Sequence, residues 1–298
     1  MTLPFQRLRK FSQRPLIALL LLGLSGGFAQ AEKVTIGSTN FSEQLILANI
    51  YATALRQSGT EVATRLNLGN REIMLPALQN GEIDIVPEYI GSLLSYYAPQ
   101  TPATNSNQIT QALQKTLPTG LTLLTPSAAS SISTLAVTAA TAQKYHLKKI
   151  SDLTPIAGKL IIGGPPELKT RALGLPGYEK VYGIRFKQFT ALDIAGPLTR
   201  LALNSGRIDV ALVISTQGLL SKENWVVLED DRHEQPAQNV TPLARKASLT
   251  PHIREVLDQV SAKLTNDDLR QLNQQVDIDH VAPEKAAAAW VAAHISKS

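Results

Sequence analysis

The chain has no cysteine among its 298 residues. No disulfide can staple it, no thiolate can hold a metal, and no cysteine is present to carry a lipid at a processing site. Its stability must come from a packed core, and a chain of this size either divides into two domains or packs as one large one. A membrane span is missing too. The apolar run Leu16 to Leu24 falls well short of the roughly 20 residues that cross a bilayer, and no later stretch does better. Catalytic signatures are equally scarce. Past the first residues there is no nucleophile elbow and no glycine-rich phosphate loop. The five histidines, His146, His233, His252, His280 and His294, do not stand at metal-ligand spacing. No cofactor and no metal site is expected, and a periplasmic enzyme is a minor alternative.

A net charge of +5 at first suggests an anionic partner. Four of the positive charges, Arg7, Arg9, Lys10 and Arg14, precede the apolar run, which ends in small residues at Ala29-Gln30-Ala31. A basic stretch, a short apolar run and an A-x-A site form a secretory leader, so residues 1–31 are expected to be a cleaved signal peptide. The remainder carries a net charge of only +1, which gives no reason to expect nucleic acid. The expected compartment is the periplasm, with full secretion as the alternative.

The chain contains its own pattern twice. Lys33-Val34-Thr35-Ile36-Gly37 recurs as Lys159-Leu160-Ile161-Ile162-Gly163. The stretch from Ala77 through Gly81, Ile83 and Asp84 to Val86 recurs, 125 positions on, from Ala202 through Gly206, Ile208 and Asp209 to Ala211. Two matches at nearly one offset point to duplication, and aspartates that recur within a frame are expected to serve the frame. Each copy reads as strand, glycine turn, helix, strand. In the first, Val34–Ile36 is a strand and Glu43–Ser58 a helix with an apolar stripe at Leu45, Ala48, Ala52 and Leu55, closed by Gly59. A second helix, Arg71–Asn80, carries Ile73, Leu75, Ala77 and Leu78, stops at Gly81 and leads to a strand at Ile83–Val86. Such alternation predicts parallel α/β sheets.

The expected fold is therefore α/β with two similar lobes joined by a hinge. The lobes are expected at residues 32–130 plus 235–298 and at residues 131–234. Thr125 to Ser133 suits one crossing, Glu229–Val240 the return, and a helical tail with Pro283 opening its last helix packs back on the first lobe. A small molecule would sit between the lobes, outside the carboxyl ends of the strands. After the first strand stand Asn40, Ser42 as an N-cap and Gln44 in the first helical turn; capping alone and capping with ligand contact both remain open. After the other strand stands Tyr89, whose ring face can hold a cation or simply pack. Tyr96 and Tyr97 read as helix-surface or core rings.

The segments Asn40-Phe41-Ser42-Glu43-Gln44 and Gly81 to Gly91 resemble the osmoprotectant-binding proteins of ATP-binding-cassette importers, which take up glycine betaine, choline, carnitine and relatives. The likeness continues through Leu135-Ala136-Val137, Ile150 to Leu153, Tyr182-Gly183, Ser215-Thr216-x-Gly218 and Pro242-x-x-Arg245. It implies the type II periplasmic-binding fold, a monomer that delivers a small zwitterion or cation to a membrane permease, and an aromatic cage around the cationic head. Tyr89 matches one cage position, Gln44 the family's glutamine near the ligand, and Ser92 a variable polar contact. At the other cage positions Ser133, Ile214 and Gln238 stand in place of rings, and Gln217 replaces an aspartate. The resemblance thus implies a more polar and wider pocket holding Tyr89, Gln44, Ser92, Asn40, Ser133 and Gln238. The alternatives are a different, more polar ligand, such as an amino acid or a larger betaine, or a sensor domain of the same fold.

Overall fold

A computed structural model describes Met1, residues 33–193 and residues 196–296. Apart from Met1, the expected leader lies outside the described residues. In chain order the elements are β1 (Lys33–Gly37), α1 (Ser42–Gln57), β2 (Glu61–Arg65), α2 (Arg71–Asn80), β3 (Ile85–Tyr89), α3 (Ile90–Tyr97), α4 (Ser106–Thr116) and β4 (Leu121–Leu123). Then come β5 (Ser133–Thr138), α5 (Ala139–Tyr145), β6 (Ile161–Gly164), α6 (Leu175–Tyr182), β7 (Gln188–Ala191), α7 (Pro197–Asn204), β8 (Val210–Ile214) and β9 (Trp225–Val227). The chain closes with β10 (Val240–Arg245), α8 (Pro251–Lys263), α9 (Asn266–Asp277) and α10 (Pro283–His294).

These strands form two five-stranded sheets, ordered β2-β1-β3-β10-β4 and β7-β6-β8-β5-β9. The two orders correspond strand for strand, as the repeat requires. Asp84 Oδ2 accepts the N–H of Thr35 at 2.8 Å, and Asp209 Oδ2 accepts that of Ile161 at 2.8 Å. Each aspartate ties the end of a helix–strand unit to the neighbouring strand. Gly81 and Gly206, at φ 81° and 73°, both turn left-handed where a side chain is disfavoured. Asp84 does more than its twin, since it also takes Arg245 at 3.0 Å and Ser248 at 2.5 Å.

The sheets are mixed rather than parallel. β1 pairs in parallel with β2 and β3, and β6 with β7 and β8, but β10 and β5 run antiparallel to their neighbours. Each lobe takes in one strand that arrives from the other lobe, and a strand entering from the hinge side must run against the local ones. The two crossings also touch, through an antiparallel bridge between Ser130 and Asn239.

Apolar residues cover both faces of each sheet, giving each lobe three layers. One face of the first sheet buries α1, which packs in turn against α10, α8 and α9. Within α1, Ala48, Ala52 and Leu55 are buried and Leu45 only half so. Gly59, at φ 91°, follows its end. Two local expectations change. Phe41, not Ser42, occupies the N-cap of α1, without a side-chain bond. Ile73 is exposed while Leu75, Ala77 and Leu78 are buried, because the buried face of α2 runs through Met74, Leu75, Ala77 and Leu78 and Ile73 falls on the other side. Among the described residues no helix is long and apolar enough to cross a membrane.

The return crossing carries a strained acid. Glu234 is buried, its Oε2 accepts from Gln235 at 2.6 Å, and among the described residues its Oε1 has no partner. Burial, with Asp230 adding a negative charge nearby, pushes its carboxyl up to about 7. The folded chain therefore holds this proton more tightly than the unfolded chain does. Stability should fall as pH rises from the ordinary carboxylate range through about 7. Glu234→Gln should flatten that slope, and urea unfolding between about pH 5 and pH 8 measures it.

Candidate functional site

The carboxyl end of β1 leads directly into α1, and that of β8 leads into the turn Ile214-Ser215-Thr216-Gln217. Between them lies a cavity of about 210 Å³, lined by Phe41, Ser42, Glu43, Ser131, Ile214, Thr216, Gln217, Asn273 and Asp277. The walls come from both lobes, from a crossing and from α9, which bridges them.

The side chains around this cavity form one connected set. Glu43, 5% exposed, accepts the Tyr89 hydroxyl at 2.6 Å on Oε1 and Asn273 Nδ2 at 2.6 Å on Oε2. Asn273 Nδ2 also donates to the Thr216 carbonyl at 2.8 Å, so one amide group joins the two lobes. Ser131 and Thr216 share a hydroxyl bond at 2.9 Å. Burial first, then the neighbouring Glu43, holds the Tyr89 hydroxyl well above its usual titration range, so it stays a donor. Among the described residues Glu43 has no cationic partner.

Tyr89 is not among the residues that line this cavity. It is 6% exposed and stacked on Phe41, with ring centroids 6.3 Å apart and planes 21° from parallel. Its hydroxyl is committed to Glu43, and the ring that borders the cavity is Phe41, 48% exposed. Gln44 is buried beside the same phenol, and among the described residues its Oε1 has no partner. Ser92 and Gln238 meet each other instead: the Ser92 N–H donates to Gln238 Oε1 at 2.9 Å, fastening α3 to the return crossing. Ser133 pairs with Ile214 across β5 and β8; Ile214 lines the cavity, and Ser133 is not among its lining residues. Asn40 is exposed, its N–H donating to the Gly69 carbonyl at 3.1 Å.

Phe41 and Glu43 were within the quoted motif but not singled out in it. Asn273 and Asp277 come from α9, 230 residues further along the chain in the case of the Glu43–Asn273 bond. One local signal marks Asp277. It is an acid at the C-terminal end of a helix with no basic residue in its last turn, where the helix dipole disfavours negative charge. Among the described residues no group of three His, Asp or Glu side chains can hold a metal ion.

The chain matches, over residues 32–293, the family model described as the substrate binding domain of an ABC-type glycine betaine transport system. It is 29% identical to a glycine-betaine-binding protein of Pseudomonas aeruginosa, covering 94% of each chain. It is 27% identical to the glycine betaine-binding protein YehZ of Escherichia coli, covering 92% of this chain and 94% of that one. A crystal structure described as a glycine betaine/carnitine/choline ABC transporter superposes with a TM-score of 0.81 at 25% identity, over 88% of this chain and 98% of that one.

Proposed function

The chain belongs to the family of substrate-binding domains of ABC-type glycine betaine transport systems, and from that membership we propose that it captures a small solute with a cationic head, such as glycine betaine, choline or a related quaternary amine, and hands it to a membrane permease. It works as a receptor in the periplasm and not as an enzyme. The lobes are taken as residues 32–130 plus 235–298 and residues 131–234.

The observation that carries this reading is the cavity of about 210 Å³ between the lobes, with an exposed ring and two carboxylates on its walls. A cation over the Phe41 ring gains about 0.5–2 kcal/mol, more as water is excluded. Glu43 and Asp277 supply the negative potential. Tyr89 acts from behind, its hydroxyl holding Glu43 and its ring stacked on Phe41, with Gln44 buried beside it. Ser92, Gln238 and Ser133 brace the crossings, and Asn40 is given no ligand contact.

The expected result is a rise in thermal stability of residues 32–298 with one of glycine betaine, choline or carnitine. A ligand at 100 times its dissociation constant adds about 2.7 kcal/mol. No shift with any quaternary amine, together with turnover of a solute, would replace the receptor with an enzyme.

A further inference from the structure

Resting on this receptor reading, we infer that the guest is elongated: a charged head occupies the cavity at Phe41 and Glu43, and a hydrocarbon arm on that head lies along a second, apolar groove that continues from it. The groove lies between α7, the short helical turn Gly218–Ser221 and the end of α9. Its volume is about 670 Å³, against about 210 Å³ for the cavity. Gln217 and Asp277 line both spaces, so the groove begins where the cavity ends. Pro197 and Leu201 on α7, Leu219 on the turn and Ile278 just past α9 supply its apolar walls.

Charge is graded along this path. Glu43 lines the cavity alone, and Asp277 stands at the junction. Among the described residues no other carboxylate lines the groove. A cation is therefore held at one end, and nothing draws it further along.

The hydrogen-bonding groups beside the groove are engaged elsewhere. Arg200 and Asn204 are the polar side chains that α7 brings to it, and Glu223 takes both, Arg200 Nε at 2.5 Å and Asn204 Nδ2 at 2.7 Å. Asn204 Oδ1 accepts the indole N–H of Trp225 at 2.7 Å. Gln217 Oε1 accepts the N–H of Ile214 at 2.9 Å. What the groove offers a guest is mainly hydrocarbon.

Leu201 shows what such a guest would gain. It is 63% exposed, while Ala202 and Leu203 beside it are buried under the helix. A single exposed leucine is ordinary, but this one shares a concave surface with three other apolar residues. A hydrocarbon arm laid there removes apolar area from water on both partners.

Titration calorimetry of residues 32–298 with tetramethylammonium, hexyltrimethylammonium and decyltrimethylammonium, each below its micelle-forming concentration, tests the inference. A fully buried methylene strengthens binding about fourfold, and the groove covers the arm on one side. The hexyl probe should therefore bind at least tenfold more tightly than tetramethylammonium, and the decyl probe no more weakly than the hexyl one. Leu201→Gln, at an exposed helical position, should fold normally and remove most of that gain. Leu198 is 61% exposed on the same helix but is not among the groove's lining residues, so Leu198→Gln should keep the gain in full. Equal affinity for tetramethylammonium and the hexyl probe overturns the inference, leaves the receptor reading standing and frees the groove for another occupant such as the permease. Equal losses in the two variants would mean that the arms adsorb to the surface at large, which overturns it too. Silence with all three probes, and with choline and glycine betaine, overturns the receptor reading as well.

Discussion

Gly218→Ala should weaken ligand binding at least tenfold and loosen the contact between the lobes. Gly218 opens the short helical turn Gly218–Ser221 and lies flat against α9. A Cβ there would enter the backbone of that helix, 2.6 Å from the Asn273 carbonyl carbon and closer still to Gln274. Backbone cannot step aside as a flexible side chain does, so the helix itself must move. Four ties sit on that contact: Arg270 Nε to the Ser215 carbonyl at 2.8 Å, Asn273 to the Thr216 carbonyl at 2.8 Å, Ser221 to Gln274, and Lys222 to Asp279 at 3.8 Å. Moving α9 also carries Asn273 and Asp277 away from the opposite wall of the cavity. Overpacking of this kind costs about 1–3 kcal/mol, and each tenfold of affinity is worth about 1.4 kcal/mol. Calorimetry reads the affinity, and small-angle scattering should show an expanded molecule. Gly120→Ala is the control, since a Cβ there meets nothing within 4 Å. Equal affinities for the two variants would show that α9 plays no part in holding the guest.

Glu88→Gln should cost about 3 kcal/mol of stability, the largest loss expected from a single polar change in the first lobe. Glu88 is 1% exposed at the end of β3, and both its oxygens engage Arg71, at 2.8 and 2.9 Å. It also accepts the N–H of Tyr89 at 3.0 Å. Arg71 is the first residue of α2, so the pair ties that helix to the strand that carries Tyr89. The guanidinium is desolvated, yet Glu88 holds it more firmly charged than usual. An amide removes the countercharge and leaves a partly buried cation. Replacing both residues, as Arg71→Met with Glu88→Leu, should recover most of the loss, because an apolar pair needs no compensation. Urea unfolding measures all three variants. A loss below about 0.5 kcal/mol for Glu88→Gln would mean that water already solvates Arg71 well enough to make the pair a surface one.

The sequence alone determined the parts of this protein that depend on neighbours along the chain. The offset of 125 between Asp84 and Asp209 announced two equivalent units, because a strand start, its glycine and its aspartate form a local device that reads the same wherever it occurs. The stripe of α1, the stop at Gly81 and the opening of α10 at Pro283 followed from side-chain periodicity and backbone freedom. The direction of the crossing strands β5 and β10 was not legible, since pairing sense depends on which lobe a strand enters. Nor was the division of labour among Phe41, Glu43 and Tyr89: three residues of suitable chemistry lay near the strand ends, and only packing shows which ring faces the cavity and which gives its hydroxyl to a carboxylate. Least visible was α9. Nothing near Asn273 in the sequence points to Glu43, and the bond between them exists because the tail folds back across both lobes. Local order is encoded within a few residues, whereas a cleft is assembled from surfaces far apart in the chain, and tertiary structure alone decides which of them meet.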